Sequence, residues 1–322
     1  MTARVGVIGL GVMATRMITN ARHHGGFTAA AAWDPDPAAC ERAAELFPDL
    51  RITDNAAEAI KGNDIDGVYI ASPPIYHREY AEAAMAAGKP VLSEKPLGID
   101  VAESRILTEQ AAASATGDAV NFTFATAPAV TALEAAISNG TIGDVAAVDI
   151  RLHFCKWPRD WQVPAAWLSD REQGGFVRET FSHYAYLTEK LFGPADLIHA
   201  VARYPDDGRS AETHALAMME CGDIPVTFAG GTGGLDASGA DRIDFTVWGS
   251  KAAYRLYDWN RLSSSTGDGW CDQLTEIDDT REEGYRRQVE TIGSFFSGNA
   301  HVLPGFADAL RVQELVEAIL TA

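Results

Sequence analysis

Short apolar runs and amphipathic stretches alternate through the first third of the chain. Arg4–Ile8 is an apolar run with a β-branched bias, followed by helical spacing from Val12 to His24. Phe27–Trp33 reads as a second strand, and Pro37 opens a helix that runs to about Phe47. A short strand at 51–53 and a helical turn or two at 56–61 come next. Val68–Ala71 is a buried strand, stopped by Ser72-Pro73-Pro74. A helix from His77 to Ala87 closes at Gly88. The strand Pro90–Leu92, the helix Ala102–Ala115 and the strand Ala119–Phe124 complete this part. Strands separated by helices predict right-handed crossovers and a doubly wound parallel sheet.

The texture changes near residue 125. A helix is expected over 130–139, and then Val145–Phe154 alternates. Val148, Ile150, Leu152 and Phe154 face one way, and Asp149, Arg151 and His153 the other. That is a strand with one covered and one polar face. Further strands are expected at 197–204, 213–220, 224–229, 243–248 and 252–257, with few helices between them. They predict a large, mostly antiparallel open sheet. The glycine-rich stretch 230–240 reads as a flexible loop, and helices near 281–297 and 306–320 close the chain. The fold class expected is α/β, with a parallel-sheet domain over 1–122 and an α+β domain over 123–322.

At 322 residues the chain is too long for one ordinary core. Its formal net charge of −19 makes nucleic acid and membrane surfaces poor partners. Cys40, Cys155, Cys221 and Cys271 are scattered, as in a reducing compartment, and neither Cys nor His shows metal-ligand spacing. No metal is expected. Met-Thr-Ala-Arg leads directly into a strand with no signal-peptide pattern, and no run approaches the apolar length of a bilayer span. Cytoplasm is the expected location.

The first strand runs into Gly9-Leu10-Gly11-Val12-Met13-Ala14, the GxGxxA form of the dinucleotide fingerprint. Gly9 permits the tight turn, Gly11 admits the pyrophosphate to the backbone, and Ala14 lets helix and strand pack closely. The helix start then offers free N–H groups to the phosphates. Asp34 lies 20 residues beyond Ala14, at the end of the second strand. It is placed to accept hydrogen bonds from the adenine ribose and to repel a 2′-phosphate, which favours NAD while leaving NADP open. The alternative for Asp34 is a turn or helix-capping residue ahead of Pro35.

With Glu94-Lys95-Pro96 added, the chain resembles the Gfo/Idh/MocA family of oxidoreductases, the glucose-fructose oxidoreductase and inositol dehydrogenase group. The resemblance rests on GxGxxA, on Ser72-Pro73-Pro74 with His77, on Glu94-Lys95-Pro96, and on Trp167 ahead of Gly174-Gly175 and the helix that follows. It implies a Rossmann domain in which Ser72, Pro73, His77, Glu94 and Lys95 join the cofactor site. It also implies that Lys95 lies near the reacting carbon, where an ammonium stabilises negative charge on a substrate oxygen. The peptide before the proline is often cis in this family.

The family's Asp-x-x-x-His pattern appears here as Glu179 and His183, with Tyr186 in place of a second Asp. These three are spaced i, i+4, i+7 and are expected on one helix face, opposite Phe181, Tyr184, Ala185, Thr188 and Phe192. His183 is the expected general acid/base, since an imidazole exchanges protons near neutral pH. Its alternative is a structural histidine. Glu179 is expected to orient Lys95, His183 or a sugar hydroxyl. Asn121, Thr123, Trp161, Trp167 and Tyr186 are candidate substrate contacts. Trp157–Trp167 reads either as an aromatic lid or as a loop held by core aromatics.

Ala125 stands three residues before Pro128 where the family often has arginine, so the pocket departs from that of a typical sugar dehydrogenase. The expected reaction is hydride transfer between nicotinamide and a carbinol carbon of a sugar, cyclitol or related polyol. Reduction of a C=O or C=N bond in a non-sugar metabolite, or dinucleotide sensing without turnover, are the alternatives. A homodimer or homotetramer formed through the polar sheet face is expected.

Overall fold

The computed structural model describes residues 2–234 and 240–322. The chain divides into two compact units, Met1–Ala125 with Tyr285–Leu310, and Thr126–Gly284 with Arg311–Ala322.

In the first unit, β1 (Ala3–Ile8), α1 (Val12–His24), β2 (Phe27–Trp33), α2 (Pro37–Leu46), β3 (Arg51–Ile52), α3 (Ala56–Lys61), β4 (Gly67–Ile70), α4 (His77–Ala86), β5 (Val91–Ser93), α5 (Val101–Ala113) and β6 (Asp118–Val120) alternate as expected. The six strands form one parallel sheet in the order β3-β2-β1-β4-β5-β6. Val5, Val7, Ile8, Val68, Ile70, Val91 and Leu92 are fully buried. Both sheet faces are covered, which is why these strands read as continuous apolar runs rather than alternations. The strand expected at Ala119–Phe124 is shorter, and a 3₁₀ turn at Thr123–Ala125 takes its second half. Among the described residues it pairs with β5 at three positions, and β5 ends at Ser93.

The second unit contains α6 (Pro128–Ser138), β7 (Val145–Phe154), α7 (Ser182–Phe192), β8 (Asp196–Arg203), β9 (His214–Cys221), β10 (Ile224–Thr232), β11 (Arg242–Gly249), β12 (Ala253–Tyr257), β13 (Arg261–Ser265) and β14 (Cys271–Asp272). The sheet order is β14-β13-β12-β11-β7-β10-β9-β8, antiparallel except where β7 runs parallel to β10. Burial alternates along β7 and β9 as the pattern requires. On the outward face, Trp248 Nε1 and the Thr227 hydroxyl both donate to the Asp149 carboxylate.

Two readings change here. Gly230–Thr232 are not loop but the end of β10, paired with Leu152–Phe154; residues 235–239 of that stretch lie outside the described residues. Glycine stands at 230 because a Cβ would run into the Phe176 ring, so composition signalled close packing rather than flexibility. Strands β13 and β14 escaped the pattern because Arg261-Leu262-Ser263-Ser264-Ser265 carries one large apolar residue.

Helices α8 (Thr280–Phe296) and α9 (Phe306–Leu320) lie where expected. The part of α8 from Tyr285 onward belongs to the first unit, where the Phe296 ring meets Phe27 edge-on at 6.0 Å. Among the described residues no helix is long and apolar enough to cross a membrane.

Candidate active site

In the first unit the chain leaves β1 at Gly9, whose φ of +91° suits glycine and whose N–H donates to the Trp33 carbonyl at 2.8 Å. A Cβ at Gly9 would lie 2.7 Å from the Ala71 and Ser72 backbone. Gly11 differs. It precedes α1 without side-chain capping, and a Cβ placed on it would meet nothing within 4 Å. The first turn of α1 carries no acidic residue that would repel an anion there. Val12 and Met13 are accessible, while Ala14 is fully buried against the sheet.

Asp34 is fixed by two backbone donors, Leu10 N–H to Oδ2 at 2.7 Å and Asp36 N–H to Oδ1 at 2.8 Å. It does not cap α2, a role that Asp36 takes by accepting from Ala38. Each carboxylate oxygen keeps a lone pair for a further donor. An open glycine cradle at a helix start, with a fixed carboxylate at the next strand end, fits a nicotinamide dinucleotide.

Lys95 follows β5 and is buried, and its neighbours on both sides are clamped. Glu94 Oε1 accepts from Tyr69 Oη at 2.6 Å and from Asn121 Nδ2 at 2.7 Å. Burial and the adjacent carboxylate raise the Tyr69 pKa well above its ordinary value, so the phenol remains a donor. Asn121 is 3% exposed, and its Oδ1 accepts from Gln288 Nε2 at 2.7 Å. Both ends of this amide are thus spent on the clamp. The Lys95–Pro96 peptide is cis, as the resemblance implies.

His77 bridges two loops. Its Nδ1 lies 2.8 Å from the Pro96 carbonyl and its Nε2 2.9 Å from the Ser72 carbonyl. Burial is the main reason its pKa lies below the usual value; the carbonyls oppose that shift and Lys95 adds to it. A neutral ring donates to one of the two carbonyls, according to its tautomer. Ser72 is half-buried and Pro73 exposed, and Thr123 is half-buried in the 3₁₀ turn.

In the second unit, Glu179 does not continue the helix of His183. Val177–Phe181 form a π-turn, a rare local winding often found at functional sites, and α7 begins at Ser182. Glu179 thus stands in the π-turn and His183 in the first turn of α7. Ser182–Thr188 are all buried, Tyr186 included.

Glu179 Oε1 accepts from Gln162 Nε2 at 3.2 Å, and Gln162 Oε1 accepts from Arg159 Nε at 3.0 Å. The Arg159 guanidinium lies over Trp161, Phe154 and Trp157 at 4.9, 5.3 and 5.8 Å. Trp157 is anchored by donating to the Leu168 carbonyl at 3.1 Å, whereas Trp161 is 43% exposed and Trp167 half-buried. The His183 imidazole meets the Trp259 ring at 5.5 Å and 84°.

The π-turn is held from below. Glu212, 2% exposed, accepts from Val177 N–H at 2.8 Å, and desolvation pushes its pKa up to about 7 against the pull of that hydrogen bond. Gly175 has φ +97° and borders the Glu212 carboxylate so closely that a Cβ would overlap it. Arg178 forms a two-pronged pair with Glu317, at 2.6 and 2.7 Å. Glu212, Trp259 and Gln288 carried no sequence signal, because each reaches its partner across a long stretch of chain.

Residues 3–121 match the model of the oxidoreductase family with an NAD-binding Rossmann fold, and residues 134–322 match that family's C-terminal alpha/beta domain. An uncharacterized oxidoreductase of Synechocystis is 29% identical over 239 residues, 70% of this chain and 62% of its own. An inositol 2-dehydrogenase of Gluconacetobacter diazotrophicus is 36% identical over 153 residues, 46% of this chain and 45% of its own. The matches thus span under two thirds of either relative. A solved levoglucosan dehydrogenase in complex with NADH superposes with a TM-score of 0.86 at 19% identity, covering 100% of this chain and 96% of that one. With both domain models matched in order along one sequence, the chain belongs to the Gfo/Idh/MocA oxidoreductase family.

Proposed function

We propose that the protein is a dehydrogenase for polyols, cyclitols first among them, that uses NAD in preference to NADP. The observation that carries this reading is the double clamp on Lys95. A lysine buried at a strand's carboxyl end, with fixed residues on either side, is built to present its ammonium in one place. Its charge then polarises a substrate oxygen. The dinucleotide, when bound, supplies the hydride acceptor or donor. Gly9, Gly11, Val12 and Met13 would receive its pyrophosphate on a helix start that Ala14 packs against the sheet; Asp34 would take the ribose; Ser72, Pro73, His77 and Glu94 shape and fix the loops beside it. The Asp34 carboxylate, held in place by two backbone donors, disfavours a 2′-phosphate by like-charge repulsion.

His183 exchanges the hydroxyl proton, and Glu179, tied to Gln162, holds a hydroxyl or orients the imidazole. Thr123, Trp161, Trp167 and Tyr186 contribute substrate contacts, and Asn121 supports Lys95 through Glu94. Inositol 2-dehydrogenases among the curated relatives make cyclitols the first substrates to try. Residues 1–122 serve the cofactor and 123–322 the substrate and assembly. The assembly is a homodimer or homotetramer formed on the outward sheet face, where Leu216, Met218 and Trp248 stand exposed beside Asp149; sedimentation equilibrium reads it.

The test is a panel of inositols, aldoses and alditols with either dinucleotide, followed by the absorbance of reduced nicotinamide. Turnover that vanishes in Lys95→Ala, with NAD binding retained by calorimetry, is the expected result. Binding without turnover across the panel makes the protein a sensor. Turnover confined to non-sugar ketones or imines moves the substrate class. No binding of either dinucleotide overturns the proposal.

A further inference from the structure

The β12–β13 hairpin is closed by Asp258, Trp259 and Asn260, since Tyr257 pairs with Arg261. Two of these three non-glycine residues have positive φ, +46° at Asp258 and +70° at Trp259. Asn260 N–H donates back to the Asp258 carbonyl at 2.9 Å, closing a three-residue turn about Trp259. A turn of this hand is rare and strained, and a left-handed position favours glycine or asparagine over a bulky aromatic. The loop is otherwise well braced. Asp258 N–H donates to the Ile243 carbonyl, and Tyr257 donates to Asp272 at 2.6 Å. Tyr257 also lies under the Arg255 and Arg261 guanidinium groups.

Strain kept in a braced loop points to what the strained residue does. The Trp259 ring is half-buried, so it is not core filling. It meets the His183 imidazole at 5.5 Å nearly perpendicular, and the Tyr184 ring at 5.9 Å. Glycine or asparagine, which this backbone favours, would place no aromatic surface there. We infer that Trp259 is a positioning residue for proton exchange, whose ring restricts the His183 imidazole to one orientation. This rests on the reading of His183 as the acid/base group. In this role Trp259 touches the imidazole and moves no proton itself.

The experiment compares Trp259→Gly and Trp259→Phe in the full chain. Glycine relieves the left-handed backbone while removing the ring. The melting temperature therefore holds or rises, whereas loss of a core aromatic would lower it. With [13C]histidine labelling and His183→Asn to assign the signal, the His183 ring resonance moves in Trp259→Gly and returns towards its place in Trp259→Phe. With whichever polyol of the panel turns over, kcat falls by roughly tenfold to a hundredfold in Trp259→Gly. KM stays within about threefold, the split of a positioning loss. An unmoved His183 resonance, an unchanged kcat, or a kcat loss matched by a fall in melting temperature overturns the inference. If His183→Asn turns over normally, the acid/base reading falls on its own. If no polyol turns over, the resonance alone decides: moved and restored supports the placement, unmoved refutes it.

Discussion

Replacing Glu212 by glutamine makes the second unit more stable in alkali and leaves it nearly unchanged in acid. The carboxyl is 2% exposed, and desolvation raises its pKa from 4.5 to about 7 although Val177 N–H and Arg178 both favour the ionised form. In the unfolded chain the same group ionises near 4.5. Between those values the folded state holds a proton that the unfolded state has released, so stability falls as pH rises. It is highest below the unfolded value and is lost progressively until pH passes the folded one. At 1.36 kcal/mol per tenfold, the gap amounts to about 3 kcal/mol.

Glutamine keeps the shape and the acceptor for Val177 N–H but never ionises. It replaces one buried polar group lacking a partner among the described residues, Oε2, with another. At pH 5 the two proteins should therefore agree within about 1 kcal/mol. At pH 8 Glu212→Gln should be more stable by about 3 kcal/mol, or roughly 6–10 °C in melting temperature for a unit of this size. Urea denaturation followed by tryptophan fluorescence at both pH values measures the difference. If the difference between the two proteins is the same at pH 5 and pH 8, burial of Glu212 does not govern its ionisation and the reasoning fails.

Three further outcomes rest on the geometry. Gly11→Ala should leave the melting temperature unchanged, because a Cβ there meets nothing within 4 Å, while weakening NAD by roughly tenfold or more in calorimetry. Gly9→Ala, at φ +91° and 2.7 Å from the Ala71 backbone, should instead cost about 2–4 kcal/mol of stability. Arg178→Met should cost about 3–5 kcal/mol in denaturant titrations by stranding Glu317, and the further change Glu317→Leu should recover much of it.

The sequence by itself determined the alternating first unit, the two-faced strands of the second, the glycine cradle with Asp34, and the Glu94-Lys95-Pro96 segment. Each rests on short-range regularity: a period of two or 3.6, a turn that tolerates only glycine, or a fixed spacing from strand end to helix start. The same logic went astray where glycine served packing, at Gly230, and where a π-turn replaced ordinary helix between Glu179 and His183.

Only the tertiary structure decided what supports the chemistry. Asn121 meets Gln288 across 167 positions, Arg178 meets Glu317 across 139, and Glu212 reaches Val177 across 35. Trp259 reaches His183 from a hairpin whose strained backbone no local pattern announces. A buried polar group must find its partner wherever the folded chain brings one, so its spacing along the sequence is arbitrary. Periodicity reports which face of an element is covered, and packing alone selects the residue that covers it.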